Sequence, residues 1–417
     1  MTKPISKLQL FEKGWSIFSG EFFYLLKKRG LSVLFPYLRL LKKSLENESV
    51  IEYDNKAVIF FLIPPVPSPG FRRHLRLYTD RFILKNGRRF VGQAFIAVNR
   101  KCPFNCWYCS SDNTPDNELT LSEIDKIINL FKEWGVSTVV YTGGEPLLRE
   151  DIDDLISNYS KELTFVILTS GYGLDPQRAK RLKKMGLFAI SISLDHYKKE
   201  INDKSRGLSG AFDISLKAIK NAKNAGLYTV VQTVASDELL QNNNLWHFID
   251  FIKGLEVDEL FLLEPLCTGR LFDAPGGVLL ENKEIERLKS LHCQASQIKD
   301  IPKVITSSHI EDPHKYGCGA GTEHIYVDTE GNLWPCNFLP ISLGNILKEP
   351  EFVQKRLHKY FNKPCGYCIL KKCRQEFLRF YKGHLPIPFE SIEGILKKRL
   401  KFDYEIPEFF KLKGVSH

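Results

Sequence analysis

The sequence predicts an α/β protein whose central part is a partial (β/α)6 barrel of the TIM type. Three observations predict it: a chain of 417 residues with 43% hydrophobic residues, an alternation of short apolar runs with longer amphipathic stretches, and turn or capping residues between them. This composition excludes a disordered, collagen-like or coiled-coil protein. The length suggests two or three domains. An open, doubly wound sheet has the same periodicity and stays an alternative.

Six apolar runs are interpreted as the parallel strands. They are Gly92–Val98, Thr138–Thr142, Leu163–Thr169, Phe188–Leu194, Tyr228–Val234 and Glu259–Pro265. The helices between them include Leu121–Trp134, which a capping box at Thr120 and Glu123 opens, and Ser209–Asn224, which Gly226 ends. Right-handed crossovers would coil such units into a barrel with its active site at the carboxyl ends of the strands.

Cys102, Cys106 and Cys109 follow the first predicted strand with the spacing C-x3-C-x2-C. Three thiolates on a short loop can hold three corners of an iron-sulfur cube and leave the fourth iron without a protein ligand. A zinc loop is the alternative, but structural zinc takes four ligands and no histidine lies in this loop. The spacing therefore indicates a reactive 4Fe-4S cluster.

This loop, with Tyr108 before its third cysteine, resembles the radical S-adenosylmethionine (SAM) superfamily. The segment 141–146, Tyr-Thr-Gly-Gly-Glu-Pro, ends the second strand as that family's GGEP motif does. The resemblance implies that this turn holds the amino group of SAM, that Ser193 and Asp195 contact its ribose or methionyl part, and that Arg206 meets its carboxylate. The SAM-binding residues so implied are Tyr108, Gly143, Gly144, Glu145, Ser193, Asp195 and Arg206.

The resemblance also implies a radical SAM oxidoreductase or transferase. One electron, from a reductant such as ferredoxin or flavodoxin, would cleave SAM at the cluster into methionine and a 5′-deoxyadenosyl radical, which abstracts hydrogen from a substrate. A non-catalytic zinc or iron-sulfur scaffold would explain the thiols, but not the GGEP turn or the six βα units.

A second group of cysteines follows the predicted barrel, and the segment 326–334 between them is predicted to be a hairpin. The group comprises Cys318, Cys336, Cys365, Cys368 and Cys373. Its spacing resembles the SPASM or Twitch domain that binds auxiliary clusters in radical SAM enzymes. Full SPASM domains have seven cysteines, so five predict one auxiliary 4Fe-4S cluster; a zinc ribbon stays an alternative. Asn337 stands where related sulfatase-maturing enzymes have a basic aspartate, which disfavours their reaction.

The chain is interpreted as four parts: a basic, amphipathic N-terminal segment (1–89), the barrel (90–305), the SPASM or Twitch-like domain (306–385) and a helical tail (386–417). Residues 1–90 hold 17 basic and 7 acidic side chains, so the whole net charge of +10 lies there. Apolar residues form a helical stripe with aromatic members, namely Leu8, Phe11, Trp15, Phe18, Phe22 and Leu25. Aromatic anchors among cations suit an anionic membrane surface, although most such stripes pack on their own protein.

Two substrate classes follow. The first is a lipid or isoprenoid reached from the membrane surface, and the second is a ribosomal peptide. Peptide maturases often carry an N-terminal winged-helix module with a strand hairpin, whereas residues 1–48 are predicted to be helices, which favours the lipid. The apolar run 57–71 is too short and proline-rich to span a bilayer. We therefore expect a cytoplasmic protein, peripheral at the inner face of the membrane, with no nucleic-acid partner.

Overall fold

The structure is a computed structural model, and it describes residues 3–84, 91–111, 117–274, 279–402 and 405–410. The strands are β1 (Lys3–Ile5), β2 (Val50–Tyr53), β3 (Lys56–Val58), β4 (Gln93–Asn99), β5 (Thr138–Gly143), β6 (Thr164–Thr169), β7 (Ala189–Ser193), β8 (Tyr228–Val234), β9 (Glu259–Leu263), β10 (Lys303–Thr306), β11 (His324–Val327), β12 (Leu333–Trp334), β13 (Ile341–Ser342) and β14 (Ile387–Pro388). The helices are α1 (Lys7–Lys13), α2 (Trp15–Arg29), α3 (Leu34–Ser44), α4 (Pro69–Phe82), α5 (Leu121–Trp134), α6 (Ile152–Tyr159), α7 (Pro176–Met185), α8 (Lys199–Arg206), α9 (Ala211–Asn224), α10 (Asp237–Leu240), α11 (Asn244–Gly254), α12 (Asn282–Ala295), α13 (Ser307–Ile310), α14 (Pro350–Tyr360), α15 (Ile369–Leu378) and α16 (Phe389–Phe402).

A nine-stranded sheet forms the centre of the molecule, in the order β10-β9-β8-β7-β6-β5-β4-β11-β12. All neighbouring strands are parallel except β11 and β12. From β4 to β10 the order follows the chain without reversal, whereas a doubly wound sheet reverses at a switch point. The predicted α/β class with a partial barrel is therefore confirmed.

The six predicted strands are β4 to β9, and their ends differ from the prediction by at most two residues. The capping box of α5 is present as predicted, because Thr120 accepts from the Glu123 backbone and the Glu123 side chain accepts from the Thr120 backbone. The strand β10 was not predicted. Four residues after a long helix give too little alternation to reveal a strand.

The inner face of the sheet encloses a hydrophobic cluster that includes part of the N-terminal segment. Residues 58–62 pack there against inward-facing strand residues. The rings of Phe60 and Phe61 lie 5.4 and 5.5 Å from that of Phe261, both edge to face. The chain after β3 therefore fills part of the barrel interior and attaches the N-terminal helices to it.

The expectation that residues 1–48 form only helices is corrected by the structure. β1 pairs antiparallel with β2, with Lys3 opposite Glu52, and β2 pairs antiparallel with β3. β1 has three residues, one of them Pro4, so it carries no alternating pattern. Its formation depends on a partner far along the chain, which local periodicity does not report.

The predicted aromatic stripe of residues 8–25 is not one continuous face. α1 ends and α2 begins at Gly14, where a Cβ would lie too close to the ring of Phe18. Phe18 and Leu25 are buried, whereas Trp15 is 69% exposed. Part of the stripe therefore packs on its own protein.

The residues after β10 form a smaller part that extends the sheet beside β4. β11 and β12 form the predicted hairpin, and β11 also pairs parallel with β4. Asp328 stabilises the turn by accepting hydrogen bonds from the Asn332 backbone N–H (2.9 Å) and from Trp334 Nε1 (3.0 Å). The second cysteine region is thereby attached to the first barrel strand.

The domain limits 1–89, 90–305, 306–385 and 386–417 stay a prediction, and the limit at residue 89 lies outside the described residues. Among the described helices, none combines the length and the hydropathy that a bilayer-spanning segment requires.

Candidate active site

The cysteine loop follows β4 at the carboxyl end of the barrel strands, and loops from distant parts of the chain hold it there. The Asn105 N–H donates to the Arg206 carbonyl at 3.1 Å. Arg270 donates from its backbone to the Cys109 carbonyl and from Nη1 to the Cys106 carbonyl, each at 3.0 Å. The backbone of the loop is therefore fixed before any ligand binds.

Glycines let the cysteine loop lie against its neighbours. A Cβ at Gly144 would overlap the carbonyl oxygen of Lys101, and one at Gly207 would overlap that of Asn105. Gly143 has φ +126°, a conformation that side chains rarely adopt. Gly144 is thus required by the chain's own cysteine loop, and Gly143 by the backbone of Asn99 at the end of β4, in addition to any ligand.

The thiols of Cys102, Cys106 and Cys109 face a common space. Burial raises the pKa of Cys106 to about 12 and raises that of Cys102, and the thiol of Cys109 acts electrostatically on both in the same direction. Because the thiolate is the form that ligates metal, a bound cluster would shift these groups to the deprotonated state. Three convergent, half-buried thiols fit a cluster that keeps one iron open.

Glu145 lies buried in the turn after β5, and its carboxylate is occupied by the chain itself. It accepts hydrogen bonds from Thr169 Oγ1 (2.5 Å), Ser170 N (2.8 Å), Leu147 N (3.0 Å) and the Ser170 hydroxyl. Burial raises its pKa, and these hydrogen bonds act in the opposite direction. Glu145 therefore joins the ends of β5 and β6, and its contact with the amino group of SAM stays a prediction.

Tyr108, Asp195 and Arg206, all predicted SAM-binding residues, form one hydrogen-bonded group. The Tyr108 hydroxyl donates to Asp195 Oδ2 at 2.6 Å and accepts from Arg206 Nη1 at 2.5 Å. The guanidinium also lies 5.2 Å from the centroid of the Phe104 ring. Arg206 Nε is buried without a hydrogen-bond partner. The group thus retains one donor that suits a carboxylate.

Asn99, the last residue of β4, is a candidate that sequence reasoning missed. Its amide nitrogen donates to the Glu145 carbonyl at 2.8 Å, while its Oδ1 is buried and has no hydrogen-bond partner among the described residues. Ser193 ends β7 and is partly buried. A search for polar residues at the carboxyl ends of all strands would have found Asn99 as it found Ser193.

Comparison with known proteins identifies this arrangement. The family model described as Radical SAM superfamily matches residues 96–249, which include the cysteine loop, the GGEP turn and Arg206. Residues 96–249 are therefore a radical SAM domain. Radical SAM proteins use a 4Fe-4S cluster and SAM, so this protein is an enzyme with those cofactors.

Two curated relatives illustrate the breadth of this likeness. An AdoMet-dependent heme synthase of Nitratidesulfovibrio vulgaris is 26% identical over 327 residues, which cover 69% of this chain and 88% of that protein. A GTP 3',8-cyclase of Campylobacter curvus is 28% identical over 306 residues, covering 66% of this chain and 91% of that protein. Among solved structures, native anSMEcpe with bound AdoMet and Cp18Cys peptide has a TM-score of 0.51 at 15% identity, over 74% of this chain and 98% of that chain. This last likeness shows the radical SAM fold.

Beyond the radical SAM core, the C-terminal cysteines gather beside the hairpin. Cys318 and Cys365 exchange two backbone hydrogen bonds of 2.6 and 3.1 Å. A hydrogen bond between the thiols of Cys318 and Cys368 lowers the pKa of Cys368 and raises that of Cys318. The thiol of Cys336 raises the pKa of Cys318, and that of Cys368 raises the pKa of Cys336. Cys373 is fully buried in α15. These thiols fit an auxiliary cluster, with the choice among them left as a prediction.

The separation of the thiols bears on the zinc alternative. In the part of the chain that the structure describes, the only three ligating side chains with all ligand atoms within 4.8 Å of one another are Glu48, His292 and His309. A tetrahedral zinc site with Zn–S bonds of about 2.3 Å would hold its thiols roughly 3.8 Å apart. The thiols of an iron-sulfur cube stand further apart, since a whole cube lies between them. The thiols of Cys318 and Cys368 are nevertheless close enough to share a hydrogen bond, so the zinc ribbon stays an alternative for the C-terminal group.

A largely apolar cavity of about 240 Å³ extends from the N-terminal helices into the barrel interior. Leu40 and Leu41 of α3 line one part of it, Phe95 and Phe261 of the strands line another, and Phe338 lines a third. The cavity thus runs between the N-terminal helices, the barrel strands and the residues that follow Cys336.

Two polar residues of the cavity lining, Asn337 and Glu311, bear on proton transfer. Asn337 lines the cavity, as does Glu311, which sequence reasoning did not single out. Burial raises the pKa of Glu311 to about 8, with the thiol of Cys368 and Glu264 acting in the same direction. A carboxyl group that is neutral near pH 7 can donate or accept a proton there. Glu311 and Asn337 are 26 positions apart in the chain, and only the tertiary structure brings both to one cavity.

Proposed function

We propose that this radical SAM enzyme acts on an apolar substrate, a membrane lipid or isoprenoid, held in the barrel cavity. The observation that carries this proposal is the cavity itself, of about 240 Å³ and lined mainly by apolar side chains. Its volume lies somewhat below the roughly 300–1,000 Å³ of typical ligand pockets, so it would hold a slender chain rather than a bulky ligand. An extended hydrocarbon chain suits such a space better than a charged substrate does, because burying an unpaired charge costs more.

The cavity reaches the strand ends that carry the SAM-binding residues. Leu168 lines it and precedes Thr169, whose hydroxyl holds Glu145. Gln232 also lines it and is the register partner of Ser193. A substrate in the cavity would therefore present one end to the site where the radical forms.

When bound, the cluster and SAM supply the 5′-deoxyadenosyl radical that abstracts a hydrogen atom. The residues of the chain perform the other tasks. The cysteine loop would hold the cluster, Arg206 Nε would bind the SAM carboxylate, and Asn99 Oδ1 would accept from its amino group. The apolar lining excludes water from the reacting carbon. Ferredoxin or flavodoxin is the proposed electron donor, and the inner face of the membrane is the proposed location.

A ribosomal peptide is the second candidate substrate, and one observation favours it. β1 lies at the edge of the sheet β1-β2-β3, and an edge strand can pair with an extended peptide. Because β1 is a strand, the expected absence of strands from residues 1–48 is a weaker reason to favour a lipid over a peptide substrate.

The experiment is an anaerobic assay of the reconstituted enzyme with SAM, dithionite and a panel of substrates. The panel contains a lipid extract, an isoprenoid, unmodified peptides and, because of the relatives named heme synthase, an iron porphyrin. Formation of 5′-deoxyadenosine is measured, together with transfer of deuterium from labelled substrate. We expect stimulation by the lipid or isoprenoid.

A matched pair of variants tests the cavity. Ile310 lines it, whereas Ile298 is 43% exposed. Ile310→Trp should lower lipid-dependent turnover by about tenfold or more because it fills the substrate space, while Ile298→Trp should not lower it. Stimulation of 5′-deoxyadenosine formation by peptide alone, or an equal loss of turnover in the two variants, would contradict a lipid substrate in this cavity.

A further inference from the structure

One helix of the N-terminal region exposes an apolar face to solvent. Leu31, Leu34, Phe35 and Leu38, in α3 and the turn before it, are 76%, 43%, 73% and 55% exposed. Their spacing of three, four and seven residues places them on one side of a helix. We call these four residues the outer stripe. Side chains of this size and exposure, gathered on one face, mark an interaction surface.

The opposite face of the same helix lines the substrate cavity. Leu40 and Ser44 belong to the cavity lining, and Leu40 is almost fully buried. α3 therefore separates an apolar surface outside from an apolar space inside. The outer apolar surface and the inner apolar space thus lie on two sides of a single helix.

The charges around the outer stripe have one sign. Residues 22–45 contain six basic side chains and no acidic one. Lys27 and Lys28, before the stripe, and Lys42, after it, are exposed. Lysines that flank an apolar helical face are the pattern of a helix that lies in the interface of an anionic bilayer.

We propose that the outer stripe docks on the surface of an anionic phospholipid bilayer, with the cavity behind it. The apolar side chains would enter the boundary between headgroups and acyl chains, and the lysines would contact lipid phosphates. This proposal rests on the lipid substrate proposed above, and it adds that the enzyme takes this substrate from the bilayer surface. It is tested without turnover, so the two proposals can fail separately.

An exposed apolar face could instead bind the same face of a second copy of the chain. The uniform positive charge disfavours it, because a symmetric dimer would bring the lysines of both copies together.

The test is flotation of the full-length holoenzyme with vesicles at moderate salt. Vesicles that contain phosphatidylglycerol should bind the protein, and vesicles of pure phosphatidylcholine should bind it less. The double variant Phe35→Glu and Leu38→Glu should lose binding by about tenfold or more. Ile298→Glu, which places the same charge on an exposed apolar residue elsewhere, should bind as the unchanged protein does.

A second variant keeps the test valid if the charged one does not fold. Phe35→Trp retains an apolar ring, and its added fluorescence should be quenched by brominated lipids in anionic vesicles. Absence of vesicle binding by the unchanged protein, equal binding by the charged variant or no added quenching would overturn the proposal. Concentration-dependent dimers that the charged variant abolishes, without vesicle binding, would assign the stripe to a second copy instead. Turnover of detergent-solubilised lipid without vesicle binding would refute the docking alone.

Discussion

At the scale of single residues, Gly144 is a position where the backbone leaves no room for a side chain. Its Cβ would overlap the Lys101 carbonyl oxygen, so Gly144→Ala should displace the cysteine loop. We expect reconstituted iron to fall by about half, through loss of the SAM-binding cluster, and 5′-deoxyadenosine formation to fall by about tenfold or more. Gly254→Ala is the control, because a Cβ there meets no heavy atom within 4 Å. Normal iron content in Gly144→Ala would contradict this packing argument.

Glu311 is one of the ionisable residues that line the cavity, and we expect it to transfer a proton. Glu311→Gln keeps the shape of the side chain but removes its proton transfer, so product formation should fall by about 10²-fold if a proton moves there. Iron content and SAM binding should stay unchanged. Glu133→Gln, on the exposed side of α5, is the matched control. Full product formation by Glu311→Gln would exclude this role.

His74 links stability to pH because its burial lowers its pKa from 6.5 to about 4. The unfolded chain binds the proton first as pH falls, so the contribution of His74 is fully present above pH 6.5 and is lost between 6.5 and about 4. That shift corresponds to on the order of 3 kcal/mol. Urea midpoints at about pH 7.5 and about pH 5 should therefore differ less for His74→Gln than for the unchanged protein. His384→Gln, at an exposed histidine, should leave this difference between the two midpoints unchanged. An equally unchanged difference in His74→Gln would refute the link between His74 and the pH dependence of stability.

The residues that could be predicted from sequence are those whose partners lie close in the chain. The spacing of Cys102, Cys106 and Cys109 reports a cluster loop directly. Asn99 and Glu311 carry no local pattern, and their roles follow from buried, unpaired atoms or from a cavity that forms only in the folded chain.

At the scale of elements, the six barrel strands could be predicted because each is a long apolar run between helices with clear ends. β1 could not, since three residues pair with a strand more than forty positions away. The stripe of residues 8–25 shows a related limit. Periodicity identifies an apolar face, but the break at Gly14 decides which of its residues turn inward.

The C-terminal cysteines give a prediction at the same scale. The reconstituted protein should hold about eight iron atoms, and Cys368→Ala should reduce this to about four by removing the auxiliary cluster. Cys293→Ala, a cysteine outside both groups, is the control. An unchanged iron count in Cys368→Ala would contradict the auxiliary cluster. Stoichiometric zinc in the unchanged protein would favour a zinc ribbon at these thiols.

At the scale of the whole molecule, the position of the net charge now has a structural explanation. The basic surplus of residues 1–90 includes the lysines around the outer stripe, and the helix that carries the stripe lines the cavity. The membrane surface that the sequence predicts from residues 8–25 is proposed instead at the outer stripe, because exposure depends on how α1, α2 and α3 pack together.

The most direct test of the radical SAM assignment is the formation of 5′-deoxyadenosine from SAM and dithionite by the iron-loaded protein under anaerobic conditions. Cys106→Ala and Cys293→Ala, each with its iron counted, are compared with the unchanged chain. We expect that the unchanged protein and Cys293→Ala form 5′-deoxyadenosine and that Cys106→Ala forms none. Cleavage of SAM by Cys106→Ala at the rate of the unchanged protein would contradict it.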